Sequence, residues 1–271
     1  GGNIFAGNPL LDVSSQEAVM DVHAIPEIPL IAPGDDLAAI IIDALDSSTL
    51  EISDGDILVI AQKVLSKSEN RYVDLATVTP SSRARELAAK VDKDPRLVDL
   101  ILSESSEVLR AAKGVLVVVH RLGHVMANAG IDQSNLGPDE NGRERVLLLP
   151  ENPNAASARL RSLFENHFQR RIGVIINDSV GRAWRNGSVG MALGVAGPPA
   201  LWDRIGTDDL FGRPLQITQI GLADQIAAAA ALVMGEGAEG QPVVKVGGLP
   251  WEAVTTNADS LLRAKEQDLF R

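Results

Sequence analysis

Cysteine is absent from the 271-residue chain, which excludes a disulfide scaffold, a thiolate zinc site and a thiol nucleophile, and fits a reducing compartment. Aromatic residues make up only 3%, too few for a base-stacking platform. Positive charge is in deficit: 25 Lys and Arg face 36 Asp and Glu, leaving a formal net charge of −11. A non-specific nucleic-acid binder needs a basic footprint to displace counterions, so no nucleic-acid partner is expected. No apolar run approaches the roughly 20 residues that span a bilayer, so no membrane partner is expected either. The first residues carry Asp12, Glu17 and Asp21 but no Lys or Arg, unlike the basic start of a secretory signal. A cytoplasmic protein acting on small molecules is the expectation. What is present, 45% hydrophobic and 23% charged residues, is the composition of a globular chain long enough to bury a large core.

Periodicity and punctuation divide the chain into interleaved elements. Short apolar, β-branched runs predict strands at 22–25, 57–61, 115–119, 146–149, 173–176 and 243–246. Helices are predicted from Asp36, a suitable N-cap, through Leu45, and at 81–91, 95–103, 154–169, 218–234 and 259–267. Thr79-Pro80 and Asp94-Pro95 each offer a capping residue followed by a Pro suited to the first helical turn. The irregular alternation favours an α+β fold with a mixed sheet over a doubly wound one. Residues 1–21 read as an N-terminal tail and 22–271 as one domain of one or two lobes, with no separating linker.

Several familiar chemistries are missing. There is no G-x-x-x-x-G-K-[ST] phosphate cradle, no G-x-S-x-G and no H-E-x-x-H. His120 and His124 lack a partner at zinc-like spacing and read as strand-end or loop residues. A literal G-x-G-x-x-G occurs at Gly235, Gly237 and Gly240, but a predicted helix precedes it and a strand follows. A dinucleotide fingerprint needs the reverse order, so that the pyrophosphate meets a helix N-terminus. A ligand-side loop between helix and strand remains open, with Glu236 as a potential cation ligand.

Carboxylates are more informative. Asp132 and Asn135 follow the VLVVV strand, and Asn177-Asp178-Ser179 directly follows the strand at 173–176. Acids and a hydroxyl at strand ends suit Mg²⁺ or Mn²⁺ shared with a nucleotide's phosphates. The alternative is that Asp132 and Asp178 merely cap turns. In a chain of net charge −11, a polyphosphate requires locally focused cations. Lys63 and Lys67 leave the end of the strand at 57–61, and Arg182 and Arg185 lie between glycines just beyond Asp178.

These stretches resemble the coenzyme F420-0:L-glutamate ligase (gamma-glutamyl ligase) family. The resemblance rests on IPLIAPGDDL at 28–37, DGDILVIAQKVLSK at 54–67, GIDQSN at 130–135 and NDSVGRAWRNGSVGMALGVAG at 177–197. GRPL, ADQIAAAAALVMG and QPVV within 212–244, and DLFR at 268–271, extend it over residues 22–271. It implies an unusual α+β ligase fold and an intertwined homodimer. The implied activity is GTP-dependent joining of L-glutamate to the phospholactyl carboxylate of coenzyme F420-0 through an acyl phosphate, with further γ-linked glutamate as an extension. The implied cofactors are two Mn²⁺ or Mg²⁺ ions and K⁺.

Carried over by position, Ile28, Pro29, Leu30 and Ile31 would lie against GTP, as would Gln62, Lys67 and Asn135. The loop Met234, Gly235, Glu236, Gly237, Ala238, Glu239, Gly240 and Gln241 would wrap the nucleotide. Asp132 and Asp178 would hold one divalent ion, and Ser179 and Glu236 the second. Arg182 and Arg185, as paired guanidinium groups, are candidates for orienting the acceptor's phosphate or carboxylate, with Asp178 also catalytic. Three alternatives stand beside this: a glutamate ligase of the same fold with another acceptor, a nicotinamide oxidoreductase using the glycine pattern, and a non-catalytic nucleotide-binding protein.

Overall fold

The computed structural model describes residues 19–134, 136 and 142–268. Asn135 and the tail 1–18 lie outside the described residues. The centre is a mixed five-stranded sheet in the order β1-β12-β2-β8-β9. Its strands are β1 (Asp21–Ala24), β2 (Ile57–Ala61), β8 (Gly173–Arg182), β9 (Arg185–Ala196) and β12 (Val243–Gly247). Only β2 and β8 run parallel, Ile57 pairing with Gly173 and Ala61 with Asn177; the other neighbours are antiparallel.

Both faces of this sheet are covered, which explains the near-continuous apolar runs of β2 and β8. One face packs on α1 (Leu37–Asp46), α2 (Gln62–Ser68) and α5 (Pro153–Phe168). Leu58, Ile60, Val174 and Ile176 meet Ile41, Leu65, Leu160 and Phe164 there. On the other face Ile57, Val59, Ile175 and Val244 meet Ile226, Ala227 and Ala230 of α6 (Leu222–Met234). Two glycines of β9 let helices approach: a Cβ at Gly190 would overlap the Ala227 carbonyl of α6, and one at Gly194 the Pro153 carbonyl of α5.

A smaller α/β unit has its own core. It contains α3 (Ser82–Val91), α4 (Pro95–Ser103) and the antiparallel meander β4 (Ser105–Ala112), β5 (Val115–His120) and β6 (Val125–Ala127). Val91, Val98, Ile101, Leu116, Val118 and Val146 pack together there. The pair β3 (Tyr72–Asp74) and β7 (Arg145–Leu147) runs antiparallel beside it. Met126, Leu149 and Leu193 join the meander to β9. Glu104 reinforces this junction, accepting from Arg71 and Arg121 at 3.1 Å each and facing His120 Nε2 at 3.5 Å. A short pair, β10 (Trp202–Asp203) and β11 (Gln219–Ile220), completes the described elements. Among the described residues no helix is long and apolar enough to cross a membrane.

The mixed α/β architecture with its mixed sheet agrees with the expectation from sequence, and its departures have local causes. Asp36 caps α1 by accepting from Ala38 and Ala39 at 3.1 Å. Ser81, not Thr79, caps α3 through Ala84 N–H at 3.2 Å. Helix α6 starts at Leu222 rather than 218 because Gln219 and Ile220 are drawn into pairing with Asp203 and Trp202. Residues 259–267 form two short 3₁₀ turns instead of a helix, since Leu262 between them is extended (φ −76°, ψ 124°). Strand β8 runs six residues past Ile176, so Asn177, Asp178 and Ser179 lie within a strand, not after one.

Candidate active site

A cavity of about 740 Å³ opens past the carboxyl ends of the parallel strands β2 and β8. Ligand crevices in α/β sheets characteristically form at such strand ends, where chain directions diverge and loops are free to vary. Ala61 and Gln62 enter from β2 and α2, Asn177 to Ser179 from β8, and Asp132 and Ser134 from the segment after β6. Ile28 to Pro33 form one rim and Met234 to Ala238 with Gly240 and Gln241 form another.

The acidic lining is assembled from three distant stretches. Asp132 is fixed by paired backbone hydrogen bonds with Leu147, both 2.9 Å. Its carboxylate accepts from Gln62 Nε2 at 2.8 Å and lies 3.4 Å from Lys63 Nζ. Ser66 donates to Gln62 Oε1 at 3.0 Å, which fixes the amide so that its NH₂ faces Asp132. Gln62 is therefore a positioning residue for an acid as well as a lining residue. Burial raises the Asp132 carboxyl above the usual aspartate range, against the charge of Lys63.

Asp178 lines the cavity from β8. Burial pushes its carboxyl up to about 7, the charges of Asp132 and Glu236 push the same way, and the Ser179 N–H opposes them. Glu236, on the loop after α6, accepts from Ser179 Oγ at 2.5 Å. An all-oxygen donor set whose charges repel one another fits a hard divalent cation, which would relieve that repulsion. Among the described residues no three His, Asp or Glu side chains are already gathered as a ready metal cluster; Asp132 and Glu236 are held by Gln62, Lys63 and Ser179 instead.

Cations line the same cavity beside these acids. Lys63, Lys67 and Arg145 all line the cavity, together with Tyr72. Burial lowers the Lys67 amine below the usual lysine range, the charges of Lys63 and Arg145 lower it further, and Asp132 opposes them.

The glycine loop adopts the shape its composition permits. Gly235 and Gly240 have φ of 71° and 66°, where an L side chain is strained. Glu239 folds back to accept from Gly237 N–H at 2.7 Å. Helix α6 precedes these glycines and β12 follows, so the dinucleotide arrangement is absent.

Of the sequence-derived nucleotide and metal residues, Ile28, Pro29, Leu30, Ile31, Gln62, Lys67, Asp132, Asp178, Ser179, Met234, Gly235, Glu236, Gly237, Ala238, Gly240 and Gln241 share this one cavity. Glu239 supports the loop without lining it. Arg182 and Arg185 do not line it; they flank the exposed two-residue turn between β8 and β9, where Trp184 is 85% exposed. Tyr72 and Arg145 were not singled out from sequence. Tyr72 is the sole tyrosine, and neither it nor Arg145 belongs to a motif that marks it.

Comparison with known proteins adds an independent finding. The family model for F420-0:Gamma-glutamyl ligase matches residues 26–248. The chain is 42% identical over 246 residues to the coenzyme F420:L-glutamate ligase of Methanothermobacter thermautotrophicus, covering 90% of this chain and 96% of that protein. It is 43% identical over 220 residues to the enzyme of that name from Methanocaldococcus jannaschii, covering 81% and 86%. For the one from Archaeoglobus fulgidus the identity is 41% over 252 residues, covering 93% and 96%. With the cavity drawn from the same stretches that carried the sequence resemblance, the chain belongs to the F420-0:gamma-glutamyl ligase family.

Proposed function

We propose that the protein is a GTP-dependent ligase that joins L-glutamate to the phospholactyl carboxylate of coenzyme F420-0. The observation that carries this reading is a single cavity lined by both acids and cations, with Lys63 3.4 Å from the Asp132 carboxylate. That layout suits phosphoryl transfer, which asks chiefly for positioning and charge stabilisation and needs no nucleophilic side chain. A carboxylate oxygen of the acceptor attacks the γ-phosphorus of GTP, and GDP departs. The glutamate amine then attacks the acyl carbon, the amide bond forms as the acyl–phosphate C–O bond breaks, and phosphate and a proton are released.

The cations and the acids have distinct tasks. Lys63 and Lys67 attract the polyphosphate into a protein whose net charge of −11 would otherwise repel it. Asp132, Asp178, Ser179 and Glu236 would hold two Mn²⁺ or Mg²⁺ ions, and Gln62, which donates to the Asp132 carboxylate, would fix its orientation. Divalent ions supply charge neutralisation on the phosphates during transfer. The glycine loop at 235–241 closes over the nucleotide, with Glu239 holding its shape, while Ile28 to Ile31 offer an apolar rim. K⁺ belongs to the same proposal as a supporting ion.

A homodimer is part of this reading. Trp184, Leu210, Phe211, Ile217 and Leu232 are all highly exposed, and large exposed apolar side chains favour burial against a second copy. Sedimentation equilibrium returning a monomer at micromolar concentration would remove that element.

Mass spectrometry of F420-0 incubated with the protein, GTP, Mn²⁺ and glutamate tests the activity. Expected are a product heavier by one glutamyl residue, or by more with γ-linked addition, and matching GDP. An unmodified acceptor with intact GTP, from folded protein, would overturn the assignment.

A further inference from the structure

We propose that Arg145, held over the Tyr72 ring, is the third cation lining the cavity beside Lys63 and Lys67, and grips an oxygen of the phosphate or carboxylate that reacts there. This rests on the reading of the cavity as a phosphoryl-transfer site.

The guanidinium is set in place from two sides. Its carbon lies 4.0 Å from the centre of the Tyr72 ring, within the range of a cation–π contact. One terminal NH₂ donates to the Leu136 carbonyl at 2.9 Å. The ring contact and a single backbone anchor hold the group in place while leaving the rest of its donor fork uncommitted among the described residues. Its buried Nε has no hydrogen-bond partner, and no carboxylate pairs with the guanidinium among the described residues. A guanidinium fixed in this way recognises a phosphate or carboxylate with little ordering cost.

The neighbours point the same way. Lys63 is partly neutralised by Asp132 at 3.4 Å. Lys67 is held below the usual lysine range by burial, with the charges of Lys63 and Arg145 adding to it. Positive charges crowded in one cavity of an acidic protein are relieved when an anion enters between them. Arg182 and Arg185 cannot serve this cavity within one protomer, because they flank an exposed turn outside it. Arg145 lines it directly.

The anion has two sources, the GTP phosphates and the acceptor's phospholactyl group, and separate measurements distinguish them. Arg145→Met and Arg145→Lys are compared with the native protein for thermal midpoint, for GTP and tripolyphosphate affinity by calorimetry, and for KM toward F420-0 at saturating GTP. Arg145→Met is expected to weaken GTP and tripolyphosphate by at least about tenfold if the nucleotide is gripped, or to raise the F420-0 KM by that factor if the acceptor is. Arg145→Lys should recover part of the loss. A purely structural role through the Leu136 carbonyl would lower the thermal midpoint and leave every affinity of the folded protein unchanged. Values within about twofold of native for all three ligands in folded Arg145→Met overturn the proposal. If the native protein binds no GTP, the functional reading fails, and the tripolyphosphate comparison alone decides the role of Arg145.

Discussion

Replacing Asp178 by Asn should make the metal-free protein more stable at pH 8 while removing its activity. In the folded chain burial and the charges of Asp132 and Glu236 push the Asp178 carboxyl up to about 7, whereas an unfolded aspartate titrates near 3.9. Between those values the native state holds a proton that the unfolded state has released, so stability falls as pH rises through the window. Full separation corresponds to about 4 kcal/mol, and partial access of water to the carboxylate reduces this to about 2–4 kcal/mol. Asn keeps the volume and can still accept the Ser179 N–H, which lies 2.8 Å from Asp178 Oδ1, without the charge. Urea unfolding in excess chelator, from about pH 4 to pH 8, reads the difference. Asp178→Asn should match the native protein at the acidic end and gain progressively toward pH 8. Added Mn²⁺ should then stabilise only the native protein. A variant that is less stable at pH 8, or whose offset does not change with pH, would refute the reasoning.

Three further outcomes follow from single contacts. Gln62→Leu removes the donor that holds Asp132 and should lower Mn²⁺ affinity about 10–100-fold, the usual cost of losing a group that orients a ligand; titration calorimetry measures this. Glu104 would be raised by burial, but the facing His120 imidazole, the hydrogen bond from Arg121 and the charges of Arg121 and Arg71 bring it down to about 2. Its contribution is present above about pH 4.5 and lost as pH falls toward 2, so Glu104→Gln should cost about 3 kcal/mol at pH 7 in urea unfolding, a difference that closes under acid. Arg182→Ala and Arg185→Ala, outside the cavity, should bind GTP within about twofold of native by calorimetry.

What the sequence disclosed depends on whether the signal was local. Strand β2 was bounded correctly because an Asp-Gly-Asp turn precedes an unbroken apolar run, and α4 because Asp94 and Pro95 mark its start. Strand β8 was cut short because its unbroken buried run ends: residues 173–177 are buried, whereas 178–182 are partly buried or exposed, with Val180 their one large apolar side chain. Helix α2 has no side-chain cap and spans only seven residues, too short for a periodic signal, so Lys63 and Lys67 were placed at a strand end. The acids and the glycine loop were legible as local patterns, polar residues at the ends of apolar runs and a literal glycine motif, and the family resemblance then gave them roles. Arg145 and Tyr72 were invisible for the opposite reason: their pairing spans β3 and β7, and only the fold brings them together.

The proposal that Asp132, Asp178 and Glu236, which line one cavity, serve one nucleotide is best tested by calorimetric GTP binding with and without Mn²⁺. Asp132→Asn, Asp178→Asn and Glu236→Gln should each lose at least about tenfold of the Mn²⁺-dependent affinity while binding metal-free GTP as the native protein does. Any of the three, correctly folded, that binds the Mn²⁺–GTP pair with native affinity would contradict a shared metal-bearing site.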